Sequence, residues 1–226
     1  MVELGIATFP KPPHGRIPNF IGADLAAGKV FNTDLWRESK VVEVSPDSPQ
    51  RPVRYRALLE GKTLLMPTPK LKEGFLILNP NEIPKNALNE ASTIGGAFKY
   101  GILASDIKTL SRLGKVDLII TGSVAVDIYG TRLGKGGGYS DLEYAVLKEL
   151  KLVDENTPII TTVHDIQLIK DKLPREKHDV PVDLIATPTK LHKALEPTPK
   201  PKGLYKDLLN DETKNIRIIK QLTTLK

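Results

Sequence analysis

Residues 116–126, VDLIITGSVAV, leave this chain the fewest choices. The run is mostly apolar and rich in β-branched residues, the composition of a strand buried on both faces, and so of a central strand in a parallel sheet. A glycine-rich segment, GTRLGKGGGYS at 130–140, follows it. Next comes DLEYAVLKEL at 141–150, whose Leu142, Ala145, Val146 and Leu150 share one helical face, and then a second apolar strand, PIITTVHD at 158–165. Strand, loop, helix and strand in that order make a β-α-β unit.

The same alternation frames this unit. VVEV at 41–44 reads as a strand, and VRYRALLEG at 53–61 as a helix with Val53, Ala57 and Leu58 on one face and Gly61 as its stop. KTLLMPTP, GFLILN and VDLIATPT (182–189) add strands, and GADLAAGKVF at 22–31 adds a short helix. The start through FPKPPHGRIPNF is expected to be irregular, and residues 80–115 to form loops and short helices. The expected fold is α/β, with a largely parallel sheet between two layers of helices. Residues 1–193 are expected to form one domain, and 194–226 a basic extension packed on it or trailing from it.

Composition narrows the function. The chain has 226 residues and no cysteine, which excludes disulfides, thiolate metal sites and a cysteine nucleophile. No apolar run is long enough to span a bilayer and the first residues do not read as a signal peptide, so a soluble, cytoplasmic protein is expected. Of the net charge of +6, nearly all falls from Lys190 onward, where nine Lys or Arg meet four Asp or Glu. A basic stretch after a near-neutral body reads as a solvated surface, and nucleic acid is not the expected partner.

The glycine segment fails two phosphate motifs. Gly130 and Gly134 stand too close for a Walker A loop, where Lys135 also comes before Gly136, and Tyr139 occupies the last glycine position of a dinucleotide fingerprint. The physics survives the failed patterns. A bare loop between a strand's carboxyl end and a helix start offers backbone N–H groups to anions, with Arg132 and Lys135 as cationic partners and Asp141 placed to hold a magnesium ion. The competing reading is a tight connection ended by a capping box between Ser140 and Glu143.

The stretch DLIITGSVAVDIYGTRLGKGGGYSDLEYAVL resembles the signature of the 5-formyltetrahydrofolate cyclo-ligase family, G-x-R-L-G-x-G-x-G-Y-Y-D-R. LLEGKTLLMPTP and LPREKHDVPVDLIATPT resemble two further family segments. The likeness is greatest to a subgroup with G-K-G-x-G-Y-x-D-L-E-Y, of archaeal members and eukaryotic methenyltetrahydrofolate synthetase domain-containing proteins. The resemblance implies a Rossmann-like open sheet and closure of 5-formyltetrahydrofolate to 5,10-methenyltetrahydrofolate, with ATP and Mg2+ required and ADP and phosphate released. It places nucleotide binding on Gly130, Arg132, Leu133, Gly134, Lys135, Gly136, Gly137, Gly138 and Tyr139, with Arg132, Lys135 and Tyr139 catalytic. It places the folate against Asp47 and Tyr139, and magnesium on Asp141 and Asp179. Asp47 stands fifteen residues before Lys62, where the family carries a glutamate, and Asp183 is expected to support the Asp179 loop.

Ser140 and Leu142 depart from the family's tyrosine and arginine. The family's basic amino-terminal helix is absent, with only Lys11 and Arg16 to replace it. Two other functions therefore stand beside the ligase: a nucleotide- or RNA-binding protein on the same scaffold, and an ATP-dependent enzyme acting on another pterin. His164, His178, Trp36 and Tyr100 read as structural residues.

Overall fold

The computed structural model of the chain describes residues 1–196 and 198–224. In chain order the strands are β1 (Val41–Val44), β2 (Thr63–Pro67), β3 (Phe75–Leu78), β4 (Ile102–Ala104), β5 (Leu118–Gly122), β6 (Ala125–Asp127), β7 (Arg132–Leu133), β8 (Ile159–Thr162), β9 (Leu168–Ile169), β10 (Leu184–Ala186) and β11 (Leu191–Lys193). Eight form one sheet in the order β11-β10-β8-β5-β1-β2-β3-β4, and β7, β6 and β9 form a small second one. The inner strands from β10 to β2 run parallel. Antiparallel β11, β3 and β4 extend the sheet at its two ends.

The helices are α1 (Ala23–Phe31), α2 (Asp34–Glu38), α3 (Arg51–Leu59), α4 (Leu88–Ala91), α5 (Ile94–Tyr100), α6 (Ile107–Ser111), α7 (Tyr139–Glu149), α8 (Asp211–Lys214) and α9 (Arg217–Thr224). Strand alternation sorts them onto the two faces. Val42, Val44, Leu118 and Ile120 pack with Val53, Ala57 and Leu58 of α3 on one face. Ile119 and Ile159 pack with Val146 and Leu147 of α7 and with Ile218 and Ile219 of α9 on the other. Each Val, Leu or Ile side chain so buried stabilises the fold by about 1.5–3 kcal/mol. Among the described residues no helix is long and apolar enough to cross a membrane.

Two expectations change. The run 116–126 is two strands, because the backbone leaves the main sheet after Gly122. Side chains satisfy it there: the Gln167 amide donates to the carbonyls of Ser123 and Val124, both at 3.0 Å. Residues 80–115 contain the edge strand β4 as well as loops and short helices.

This topology locates a crevice. From β1 the chain winds through α3 to β2 on one side, whereas from β5 it winds through α7 to β8 on the other. The direction reverses between β1 and β5, and ligands of open α/β sheets collect beyond the carboxyl ends of the strands at such a reversal.

Candidate functional site

The glycine segment is a hairpin return before it is a loop. Arg132 pairs with Val126 and Leu133 with Ala125, which turns the chain back toward the carboxyl ends of the main strands. Gly130 makes the turn at φ +95°, where a Cβ would run into the carbonyl oxygen of Val182. Gly138 then caps α7 at φ +63° with no side-chain cap. The capping box expected from Ser140 and Glu143 does not form: the helix begins at Tyr139, so Ser140 lies inside it and Glu143 turns toward the sheet and is buried. No side chain thus competes for the amino end of α7, which keeps its N–H groups and partial positive charge for a ligand.

The loop walls a cleft of about 830 Å³. Of the residues singled out in the sequence, the cleft brings together Asp47, Arg132, Leu133, Gly134, Lys135, Gly136, Gly137, Gly138, Tyr139, Asp141 and Asp179. Gly130 supports the turn from behind and does not line it. Arg16 and His14 line the cleft while Lys11 does not, and Lys70, after β2, joins from the opposite rim. Both loop cations rest on carboxylates. Lys135 Nζ lies 3.1 Å from Asp47 Oδ1, and Arg132 Nη2 lies 3.1 Å from Asp141 Oδ1. The Val180 N–H also donates to Asp141 Oδ1 at 2.9 Å. Asp179 Oδ2 accepts the Glu176 N–H at 2.7 Å.

A sequence profile described as the 5-formyltetrahydrofolate cyclo-ligase family matches residues 11–188. The chain belongs to this family. The methenyltetrahydrofolate synthase domain-containing protein of Danio rerio is 42% identical over 226 residues, which cover 97% of this chain and 58% of the relative. Its Homo sapiens counterpart is 40% identical over 90% of this chain and 53% of its own length. The chain therefore spans little more than half of these relatives. The 5-formyltetrahydrofolate cyclo-ligase of Escherichia coli (strain K12) is 37% identical over 86 residues, 38% of this chain and 44% of the relative. The NMR structure of Aquifex aeolicus 5,10-methenyltetrahydrofolate synthetase superposes with TM-score 0.50 at 22% identity, covering 77% of this chain and 82% of that one, and so shares the fold. These likenesses run to the domain-containing proteins; the expected archaeal placement is not supported.

Beneath its signature loop, this cyclo-ligase family member carries groups to which the sequence reading gave no part in the site. Glu43 of β1 and Glu143 of α7 are both buried, with Arg132 beside them. Burial pushes the Glu43 carboxyl up to about 8, against the pull of Arg132. Burial first, and then the nearby Glu43 and Asp47 carboxylates, push Glu143 well above its usual range. Arg54 is buried too: its Nη1 donates to the carbonyls of Ser45 at 2.6 Å and Asp47 at 2.9 Å, and its Nε to that of Ser92 at 2.8 Å. It holds the strand-end loop that carries Asp47. Glu43 had a visible signal, a carboxylate at the centre of an apolar strand; Arg54 and Glu143 had none beyond helical spacing.

Other predicted residues fall into structural places. Asp183 accepts the Ile159 N–H at 2.8 Å and pairs with Lys200 at 2.9 Å, which ties it to the start of β8 rather than to the Asp179 loop. Lys62 donates to the carbonyls of Trp36 and Ser39, and the Trp36 indole donates to Glu60. His164 Nδ1 accepts the Ile166 N–H. Among the described residues no group of three or more acidic or histidine side chains forms a metal cage. Asp141 and Asp179 nevertheless line the same cleft, and their hard oxygens suit a magnesium ion, which takes one or two carboxylates and completes its shell with phosphates and water.

Proposed function

We propose that the chain converts 5-formyltetrahydrofolate to 5,10-methenyltetrahydrofolate at the expense of ATP, releasing ADP and phosphate. The observation that carries this reading is the pairing of both loop cations with carboxylates around a bare glycine loop, in a member of the cyclo-ligase family. Arriving phosphate oxygens would exchange for Asp141 and Asp47 as partners of Arg132 and Lys135, and the N–H groups at the start of α7 would face them.

In this reaction the formyl oxygen attacks the terminal phosphorus and ADP leaves. The N10 nitrogen then attacks the formyl carbon and gives up its proton, while the C–O bond breaks and phosphate departs with the formyl oxygen. Such a transfer asks mainly for positioning and charge neutralisation. Arg132 and Lys135 offset the charge on the transferred group, and Tyr139 and the freed Asp47 border the folate. Asp141 and Asp179 would hold Mg2+, which when bound neutralises phosphate charge. Arg16 and His14 line the same cleft and would take the part of a basic amino-terminal element toward the nucleotide.

The test is an absorbance assay of methenyl formation with 5-formyltetrahydrofolate and Mg-ATP. Arg132→Ala should abolish turnover or reduce kcat/KM by roughly 100-fold or more; unchanged kinetics would reject the assignment. No turnover by the parent, together with tight, salt-sensitive RNA binding, would favour a binding protein on this scaffold instead.

A further inference from the structure

Arg132 and Lys135 are not the only cations of the cleft that rest on a carboxylate. Lys70 lines the rim opposite the glycine loop, and its Nζ donates to Glu212 Oε1 at 3.1 Å. Lys70 first, and then the Tyr139 hydroxyl, hold the Glu212 carboxyl below its usual range, so this one side chain reaches both rims. Glu212 comes from α8, beyond residue 188, where the family match ends. The stretch that carries it is tied down: the Asn210 side chain caps α8 by accepting the Thr213 N–H at 2.8 Å, and the Leu204 N–H donates to Glu149 Oε1 at 3.0 Å.

The backbone is bent to deliver Lys70. Lys70 and Leu71 both have positive φ, +57° and +53°, which lysine and leucine rarely adopt. Leu71 is buried in the core, and the Thr68 hydroxyl closes the turn by donating to the Gly74 carbonyl at 2.9 Å and accepting the Glu73 N–H at 3.1 Å. Such strain persists where the surroundings enforce it, and it collects at binding sites. What it achieves here is an ammonium group on the cleft. The ion pair itself is not the gain, because the Lys70 and Glu212 side chains remain 62% and 58% exposed, and so exposed a pair adds little to stability and parts at little cost.

We propose that Lys70 binds an anionic oxygen of a substrate and that Glu212 holds its place until that substrate arrives. The inference rests on the reading above and deepens it. Two sources share the chemistry, a phosphate of the nucleotide and a carboxylate of the folate, and separate titrations distinguish them.

Calorimetric titration of the full chain with Mg-ATP and, separately, with 5-formyltetrahydrofolate tests this. Lys70→Met should weaken one of the two by about tenfold, the loss of one charge-assisted hydrogen bond, and the ligand weakened identifies the source. Lys70→Arg should restore most of that affinity. Glu212→Gln should tighten the same ligand by about two- to fivefold, because the competing carboxylate is gone, whereas a merely bracing role for Glu212 requires the opposite sign. Lys70→Met that binds both ligands as the parent does, or Glu212→Gln that fails to tighten the ligand Lys70 holds, overturns the proposal and leaves the ligase reading standing. If the parent binds neither ligand, the ligase reading falls and takes this one with it.

Discussion

Replacing Arg54 by alanine should destabilise the protein by about 4 kcal/mol and loosen the Asp47 side of the cleft. Arg54 is 2% exposed, and its guanidinium bridges the carbonyls of Ser45, Asp47 and Ser92. Alanine leaves the Ser45 and Ser92 acceptors buried without a donor, at about 1–3 kcal/mol each, whereas the Asp47 carbonyl beside the cleft can take water. Lost contacts of the aliphatic stem add to this. Burial pushes the guanidinium down, with Asp47 opposing, so removing the charge returns part of the cost. Urea unfolding measures the sum, and KM for 5-formyltetrahydrofolate measures the loop. Arg54→Lys keeps the charge but not the planar fork, and should fall between parent and alanine on both readouts. A stability loss under about 1 kcal/mol with an unchanged KM would refute the idea that this residue holds the cleft wall.

Three further outcomes are expected. Gly130→Ala should lower stability by at least about 1–3 kcal/mol, seen as a lower Tm, since alanine at φ +95° is strained even before its Cβ meets the Val182 carbonyl. Ile219→Ala in α9, fully buried against the far face of the sheet, should cost about 2–5 kcal/mol in urea unfolding; a negligible change would mean that the carboxyl-terminal stretch is not part of the fold. Glu43, raised from 4.5 to about 8, keeps a proton in the folded chain that the unfolded chain releases in that window. Its contribution to stability is full below the unfolded value and is lost as pH climbs through the folded one. Glu43→Gln should flatten the fall in Tm between about pH 5 and pH 9, and an unaltered slope would contradict it.

The sheet was legible because its central strands are apolar on both faces. VVEV, PIITTVHD and VDLIATPT can satisfy both solvent and packing only inside a parallel sheet, and the helices between them carry their stripes at the right spacing. The exit of the chain after Gly122 was not legible, because what ends β5 is a side chain 44 residues later, the Gln167 amide. The glycine segment announced an anion site, and the cleft gathers nearly all the residues read from it. The supporting layer stayed hidden. Arg54 faces inward only because α3 packs as it does, and Glu143 reads as a cap until Gly138 starts the helix earlier. The strain at Lys70 on the cleft rim and at the buried Leu71 beside it, with φ of +57° and +53°, is likewise set by tertiary contacts and leaves no mark in composition.

The account depends above all on main-chain amides receiving phosphate. Backbone ¹H–¹⁵N spectra recorded while Mg-ATP is added follow those amides one by one. The signals of Gly134, Gly136, Gly137 and Gly138 should shift together and saturate with the binding curve. If they stay in place while amides on another surface move, the nucleotide does not bind at the glycine loop.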